Sequence, residues 1–155
     1  MTELTIGKKV PSFCLPATGD QEISLASLKG KNVVLYFYPK DSTPGCTREG
    51  GDFRDLHAKF KRAKTVILGV SRDSVRSHEN FRSKQDYSFD LLSDQEETLC
   101  QIFDVIKEKN MYGKKVMGIE RSTFLLDDKG KLRNEWRKVK VDGHAEEVLA
   151  AVKAL

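Results

Sequence analysis

Two apolar runs separated by a long amphipathic segment set the strongest limit on how this chain folds. Asn32-Val33-Val34-Leu35-Tyr36-Phe37-Tyr38 and Thr65-Val66-Ile67-Leu68-Gly69-Val70-Ser71 carry apolar side chains at consecutive positions. A strand with apolar side chains on both faces belongs inside a covered sheet. Between the runs, Phe53, Leu56 and Phe60 recur at spacings of three and four. That spacing predicts a helix from about Thr43 to about Ala63 with one apolar face.

The rest of the chain continues the pattern. The first thirty residues read as irregular, with a short hairpin punctuated by Pro11, Pro16 and Gly19-Asp20. Ser24–Gly30 reads as a single helical turn stopped by glycine. A second helix is expected over Ser74–Gln85 with Ser74 as its cap, then a short strand over Phe89–Ser93. Asp94 is expected to cap a helix ending near Phe103. A loop containing Gly and Lys follows. Arg121–Leu126 and Leu132–Arg137 are read as strands joined at Asp128-Lys129-Gly130. A last helix starts near Asp142 or Gly143. Strands alternating with helices, plus one late antiparallel hairpin, predict a three-layer α/β/α sandwich of thioredoxin-like kind with a mixed central sheet.

The 155 residues favour one compact domain over 1–155. The net charge of +4 is spread along the chain, apart from Lys59, Lys61, Arg62 and Lys64. Those four fall at the end of a predicted helix, where cations complement the helix dipole. With no basic-aromatic stripe, nucleic-acid binding is not expected. No apolar run approaches the roughly 20 residues that span a bilayer, and Met1–Thr5 does not open a secretory signal. The three cysteines, Cys14, Cys46 and Cys100, are an odd number. They point to a reducing cytoplasm rather than a disulfide framework. His57, His78 and His144 have no metal-ligand spacing with them or each other, so no metal is expected.

The segment from Pro39 to Glu49 carries the chemistry. It leaves the carboxyl end of a central strand and enters a helix, where open α/β sheets bind ligands. Thr43 fits the helix N-cap and Pro44 the first helical position. Cys46 then lies in the first turn, where unpaired N–H groups and the helix dipole favour a thiolate. A small buried hydrophobe is the alternative for a free cysteine; the placement favours the thiolate. Glu49 either anchors an arginine near the site or makes a plain salt bridge on the helix surface. His57, about three turns along the same helix, is too far to act as base for Cys46.

Pro39-x-x-x-Thr43-x-x-Cys46 matches the active-site signature of peroxiredoxins. The longer string Tyr38-Pro39-Lys40-Asp41-x-Thr43-Pro44-Gly45-Cys46-Thr47 resembles the peroxiredoxin Q, or bacterioferritin comigratory protein, branch. So do the segment 108–125, Leu91-Leu92-Ser93-Asp94, and Gly7-x-x-Val10-Pro11-x-Phe13-x-Leu15-Pro16. The resemblance runs in order along nearly the whole chain. It implies that Cys46 attacks hydroperoxides and becomes a sulfenic acid. Thr43 would hydrogen-bond the peroxide and the sulfur. Pro39 would limit water at the site. Arg121 would arrive from a neighbouring strand to stabilise the thiolate and orient the peroxide. The residues alone assign Arg121 no more than an ion pair with Glu120 or an aspartate. The resemblance also implies a monomer and requires no cofactor.

The sequence departs from that branch in one respect. A resolving cysteine commonly stands five residues after the reactive one, where this chain has Gly51, or around 81–83 on the next helix, where it has none. Cys100 and Cys14 are left as packing residues or as alternative resolving groups. The expectation is a one-cysteine cycle in which thioredoxin, glutaredoxin or glutathione attacks the Cys46 sulfenic acid. Gly50-Gly51 weakens the helix beside the site, and local fraying there would expose Cys46. Two other functions compete. A thiol–disulfide oxidoreductase needs paired cysteines, and Cys46 has no partner in Thr47, Arg48 or Glu49. A non-catalytic holdase is disfavoured by the intact Pro39, Thr43, Cys46 and Arg121 set.

Overall fold

The computed structural model describes residues 4–155, apart from the side chain of Met111. The reading of the chain start as no secretory signal rests on Met1–Thr5, of which Met1–Glu3 lie outside the described residues. Among the described residues nine strands and four α-helices follow one another: β1 (Cys14–Ala17), β2 (Gln21–Ser24), a 3-10 turn (Ala26–Leu28), β3 (Asn32–Phe37), α1 (Pro44–Arg62), β4 (Thr65–Ser71), α2 (Val75–Gln85), β5 (Asp90–Ser93), α3 (Thr98–Ile102), β6 (Ile106–Met111), β7 (Lys114–Ile119), β8 (Ser122–Leu126), β9 (Leu132–Trp136) and α4 (His144–Lys153).

Seven strands form one mixed sheet in the order β2-β1-β5-β4-β3-β8-β9. Its centre is parallel, β3 with β4 and β4 with β5. β8 then pairs antiparallel with β3, and β9 with β8. Both apolar runs are central strands, and the sheet separates two apolar clusters. On one face Val34, Tyr36, Ile67 and Leu91 pack under Phe53 and Phe60 of α1, Phe81 of α2 and Val148 of α4. On the other, Val33, Leu35, Phe37 and Leu68 meet Leu99 and Phe103 around α3. Alternate residues of β3 thus serve opposite cores, as the pleat requires. The expected three-layer sandwich is present. Among the described residues no helix is long and apolar enough to cross a membrane.

One element departs from the sequence expectation. The loop expected before Arg121 holds a second, two-stranded sheet, β6 with β7. Its turn is Tyr112-Gly113, with φ of 54° and 78°. Positive φ at both central positions suits the twist of a tight hairpin. Of the two expected caps, one differs in detail. Ser74 caps α2 as expected, its Oγ accepting from the Ser77 N–H at 3.1 Å. Asp94 lies further from α3 than expected, yet its carboxylate accepts the N–H groups of Leu99 and Cys100 at 3.1 and 2.7 Å.

The adjacent glycines of α1 have different reasons to be glycine. A Cβ on Gly50 would stand 2.3 Å from the Tyr87 hydroxyl, which donates to the Thr47 carbonyl at 3.1 Å. A Cβ on Gly51 would meet nothing nearer than the Arg54 guanidinium at 3.6 Å. Gly51→Ala should therefore stabilise the protein by about 0.5–1 kcal/mol, from helix propensity alone. Gly50→Ala should destabilise it by about 1–3 kcal/mol through overpacking. Urea unfolding of both variants checks the pair; equal shifts would contradict the packing account.

Candidate active site

The end of β3 and the start of β8 lie together because the strands run antiparallel. Phe37 pairs with Ser122, so Arg121 stands beside the chain as it leaves β3 through Tyr38 and Pro39. The same chain turns at once into α1. Thr43 occupies the N-cap with φ −84° and ψ 153°, and Pro44 opens the helix. The first helical bond runs from the Thr47 N–H to the Thr43 carbonyl at 2.9 Å. Thr43 takes the cap position without capping through its side chain. Its hydroxyl instead donates to the Lys40 carbonyl at 3.0 Å. The cap side chain therefore leaves the N–H groups of Gly45 and Cys46 free to face an anion.

Cys46 is 1% exposed. The Arg121 Nη2 donates to its sulfur at 3.3 Å, and Nη1 donates to Glu49 Oε1 at 2.6 Å. One guanidinium therefore bridges two side chains one helical turn apart on α1. The alternative pairing with Glu120 is not adopted, and Glu49 anchors the arginine rather than lying on the helix surface. Burial opposes the Arg121 charge, but the Glu49 carboxylate and the Cys46 sulfur outweigh it and raise the guanidinium pKa. Glu49, itself 1% exposed, is pushed up to about 7 by burial, with Arg121 pulling the other way. Its second oxygen, Oε2, is buried without a hydrogen-bond partner.

Gly45 belongs to the site for a reason the sequence reading did not give. A Cβ there would come within 3.1 Å of the Arg121 Nη2, so the missing side chain lets the guanidinium approach the helix start. The β6–β7 hairpin contributes Lys109. Its ammonium is held below the usual lysine range by burial and then by the neighbouring Arg121 charge. The family resemblance covers Lys109 within 108–125 but gives it no role at the site.

The other cysteines are differently situated. Cys100 is buried, and burial together with Asp94 pushes its thiol well up. Cys14 is exposed on β1, where a hydrogen bond from its thiol to Glu22 raises its pKa. All three cysteines are free. His57 and His144 are engaged elsewhere, His57 Nδ1 with Ser88 Oγ at 2.6 Å and His144 Nε2 with Thr123 Oγ1 at 2.7 Å.

The arrangement holds a buried sulfur against a fixed cation and free N–H groups, a setting in which a cysteine can serve as a nucleophile. The chain is similar to known proteins along most of its length. The AhpC/TSA family model matches residues 6–135. Peroxiredoxin Bcp of Xanthomonas campestris pv. campestris is 56% identical over 156 residues, covering 99% of this chain and 98% of that protein. A structure solved to explain the alkyl peroxide reduction activity of Xanthomonas campestris bacterioferritin comigratory protein is 58% identical, with a TM-score of 0.88, covering 92% of this chain and 90% of that one. A mutant of PrxQ from Xylella fastidiosa superposes with a TM-score of 0.93 at 46% identity, covering 99% of this chain and 98% of that one. This chain belongs to the AhpC/TSA family, as a thiol-dependent peroxidase of the peroxiredoxin kind.

Proposed function

We propose that Cys46 is the peroxidatic thiolate of this peroxidase and that an external thiol recycles it. The contact of Arg121 with the Cys46 sulfur at 3.3 Å carries the reading. The thiolate attacks one peroxide oxygen and forms the S–O bond. The O–O bond breaks, and its electron pair leaves on the other oxygen as alkoxide or hydroxide. That oxygen takes a proton and departs as alcohol or water, leaving Cys46 sulfenic acid. Arg121 and the free N–H groups of Gly45 and Cys46 face the charge as it moves from sulfur to oxygen. Thr43 presents its hydroxyl oxygen to the peroxide, and Pro39 limits water at the sulfur.

A thiol then attacks the Cys46 sulfenic sulfur, giving a mixed disulfide and water. A second thiol releases Cys46 and takes the disulfide away. Thioredoxin, glutaredoxin and glutathione all fit this role. Burial of Cys46 requires the start of α1 to open first, and the weak helical propensity of Gly50-Gly51 supports that. Cys100 is disfavoured as an internal resolver because its thiol stays protonated. Hydrogen peroxide and small alkyl hydroperoxides are the substrates, in line with the activity attributed to the Xanthomonas protein. The three free cysteines support a cytoplasmic setting. The chain acts as a monomer and one domain, supported by a sheet that draws strands from both ends of the sequence.

Reduced protein given one equivalent of hydrogen peroxide should gain a single oxygen on Cys46, read by mass spectrometry. A stoichiometric Cys14–Cys46 or Cys46–Cys100 disulfide would end the external-thiol reading. Arg121→Met should slow Cys46 oxidation by about 10²–10³-fold, the usual effect of losing a donor to developing charge. Stopped-flow mixing with hydrogen peroxide measures this, and an unchanged rate refutes the role of the guanidinium.

Glu49 adds a pH signature. Its folded-state pKa is about 7 against an ordinary 4.5. The folded chain therefore keeps this proton at pH values where the unfolded chain has lost it. Stability from this group falls as pH rises from about 4.5 to about 7 and is level above. Across that window Glu49→Gln should gain on the order of 3 kcal/mol relative to the parent. Denaturant unfolding of both proteins over the window tests it; a constant difference would disprove it.

A further inference from the structure

Beneath the loop that joins β3 to α1 lies a polar cluster that the reaction as described does not use. Asp41 is 6% exposed and His78 is 0% exposed. Asp41 Oδ1 accepts from the Tyr38 hydroxyl at 2.6 Å, and Oδ2 accepts from the Ser77 hydroxyl at 2.8 Å. His78 Nδ1 lies 2.7 Å from the same Oδ2, and Nε2 lies 2.8 Å from the Leu92 carbonyl. The Asp41 N–H donates to Asp73 Oδ2 at 2.9 Å, and Asp73 is in turn fixed by the Ser71 hydroxyl at 2.5 Å.

The hydrogen-bond roles are forced. A backbone carbonyl only accepts, so Nε2 must carry a proton toward Leu92. Nδ1 then faces a carboxylate across 2.7 Å in a dry interior, where two bare acceptors would repel. One proton must lie between them, on the imidazolium or on the carboxyl. Asp41, Asp73 and His78 bring ligand atoms within 4.8 Å of one another, but the atoms of Asp41 and His78 are already committed to these bonds. The cluster acts as a tether between the Asp41 segment and α2.

What it tethers is the catalytic loop. Asp41 lies between Pro39 and Thr43 and immediately before Ser42, which has φ of 63°. A non-glycine residue in that left-handed region is strained and needs surrounding structure to hold it. We infer that Asp41 and His78 share one buried proton and act as a positioning pair, fixing the loop that carries Pro39 and Thr43 against α2 so that the peroxide is held in line with Cys46. The inference rests on the peroxidase reading above and extends it to groups that do not touch the reacting atoms.

Displacement of a reacting group by about 1 Å costs on the order of 100-fold. Asp41→Ala should therefore slow the oxidation of Cys46 by hydrogen peroxide by about 10–100-fold at neutral pH. The rate at which iodoacetamide alkylates Cys46 should match the parent, because Arg121 and the helix start are intact. Asp41→Asn should recover most of the rate, since its amide can donate to a neutral His78 Nδ1 while its oxygen still accepts from Tyr38. Proton NMR of the parent should show a strongly deshielded imidazole N–H that His78→Gln lacks. Equal rates in Asp41→Ala and parent, or an Asp41→Asn rate as low as that of Asp41→Ala, would overturn the pair's role. Absence of the deshielded proton in the parent would overturn the shared proton, even if Asp41→Ala does not fold. A parent that ignores hydrogen peroxide would instead defeat the peroxidase reading itself.

Discussion

A guanidinium held against a sulfur in a nearly dry pocket is the contact around which this molecule is organised. In that low-dielectric setting a fixed cation acts on a developing anion far more strongly than it would in water. The fold supplies it through strand direction. β8 runs against β3, so Arg121 arrives where β3 gives way to α1, and the first turn of α1 carries Cys46. Glu49, one turn further, keeps Arg121 from swinging away. Gly45 removes the side chain that would hold it back.

The same region shows how backbone groups are kept available. A threonine at an N-cap commonly spends its oxygen on the helix N–H groups. Here Thr43 turns its hydroxyl to the Lys40 carbonyl. The helix end therefore keeps free donors as well as its dipole. The cost of leaving those donors unpaired falls on stability, as is common where local rules are broken at a functional site.

Much of this was legible in the sequence because it depends on local pattern. The doubly apolar runs of β3 and β4, the stripe on α1, and the strand–Pro–Thr–Pro–Gly–Cys passage each declare themselves within a few residues. What was not legible depends on long-range meetings. Arg121 and Glu49 are 72 positions apart, and only the family resemblance brought that arginine to the sulfur. The β6–β7 hairpin hid because Lys107-Glu108-Lys109-Asn110 shows no apolar alternation and its turn lacks an Asn-Gly signal; Gly113 between two segments of equal length was the available clue. His78 looked like any histidine on a polar helix, because its partner Asp41 lies 37 positions away in the loop between β3 and α1.

The central sheet also works as a partition. Cys46 belongs to the apolar cluster beneath α1, α2 and α4, while Cys100 belongs to the cluster around α3. Amino-acid changes in the second compartment therefore alter how many molecules are folded, with little leverage on how fast each one turns over. Changes in the first compartment alter both at once. An engineer seeking a sturdier enzyme has reason to start from the quiet side.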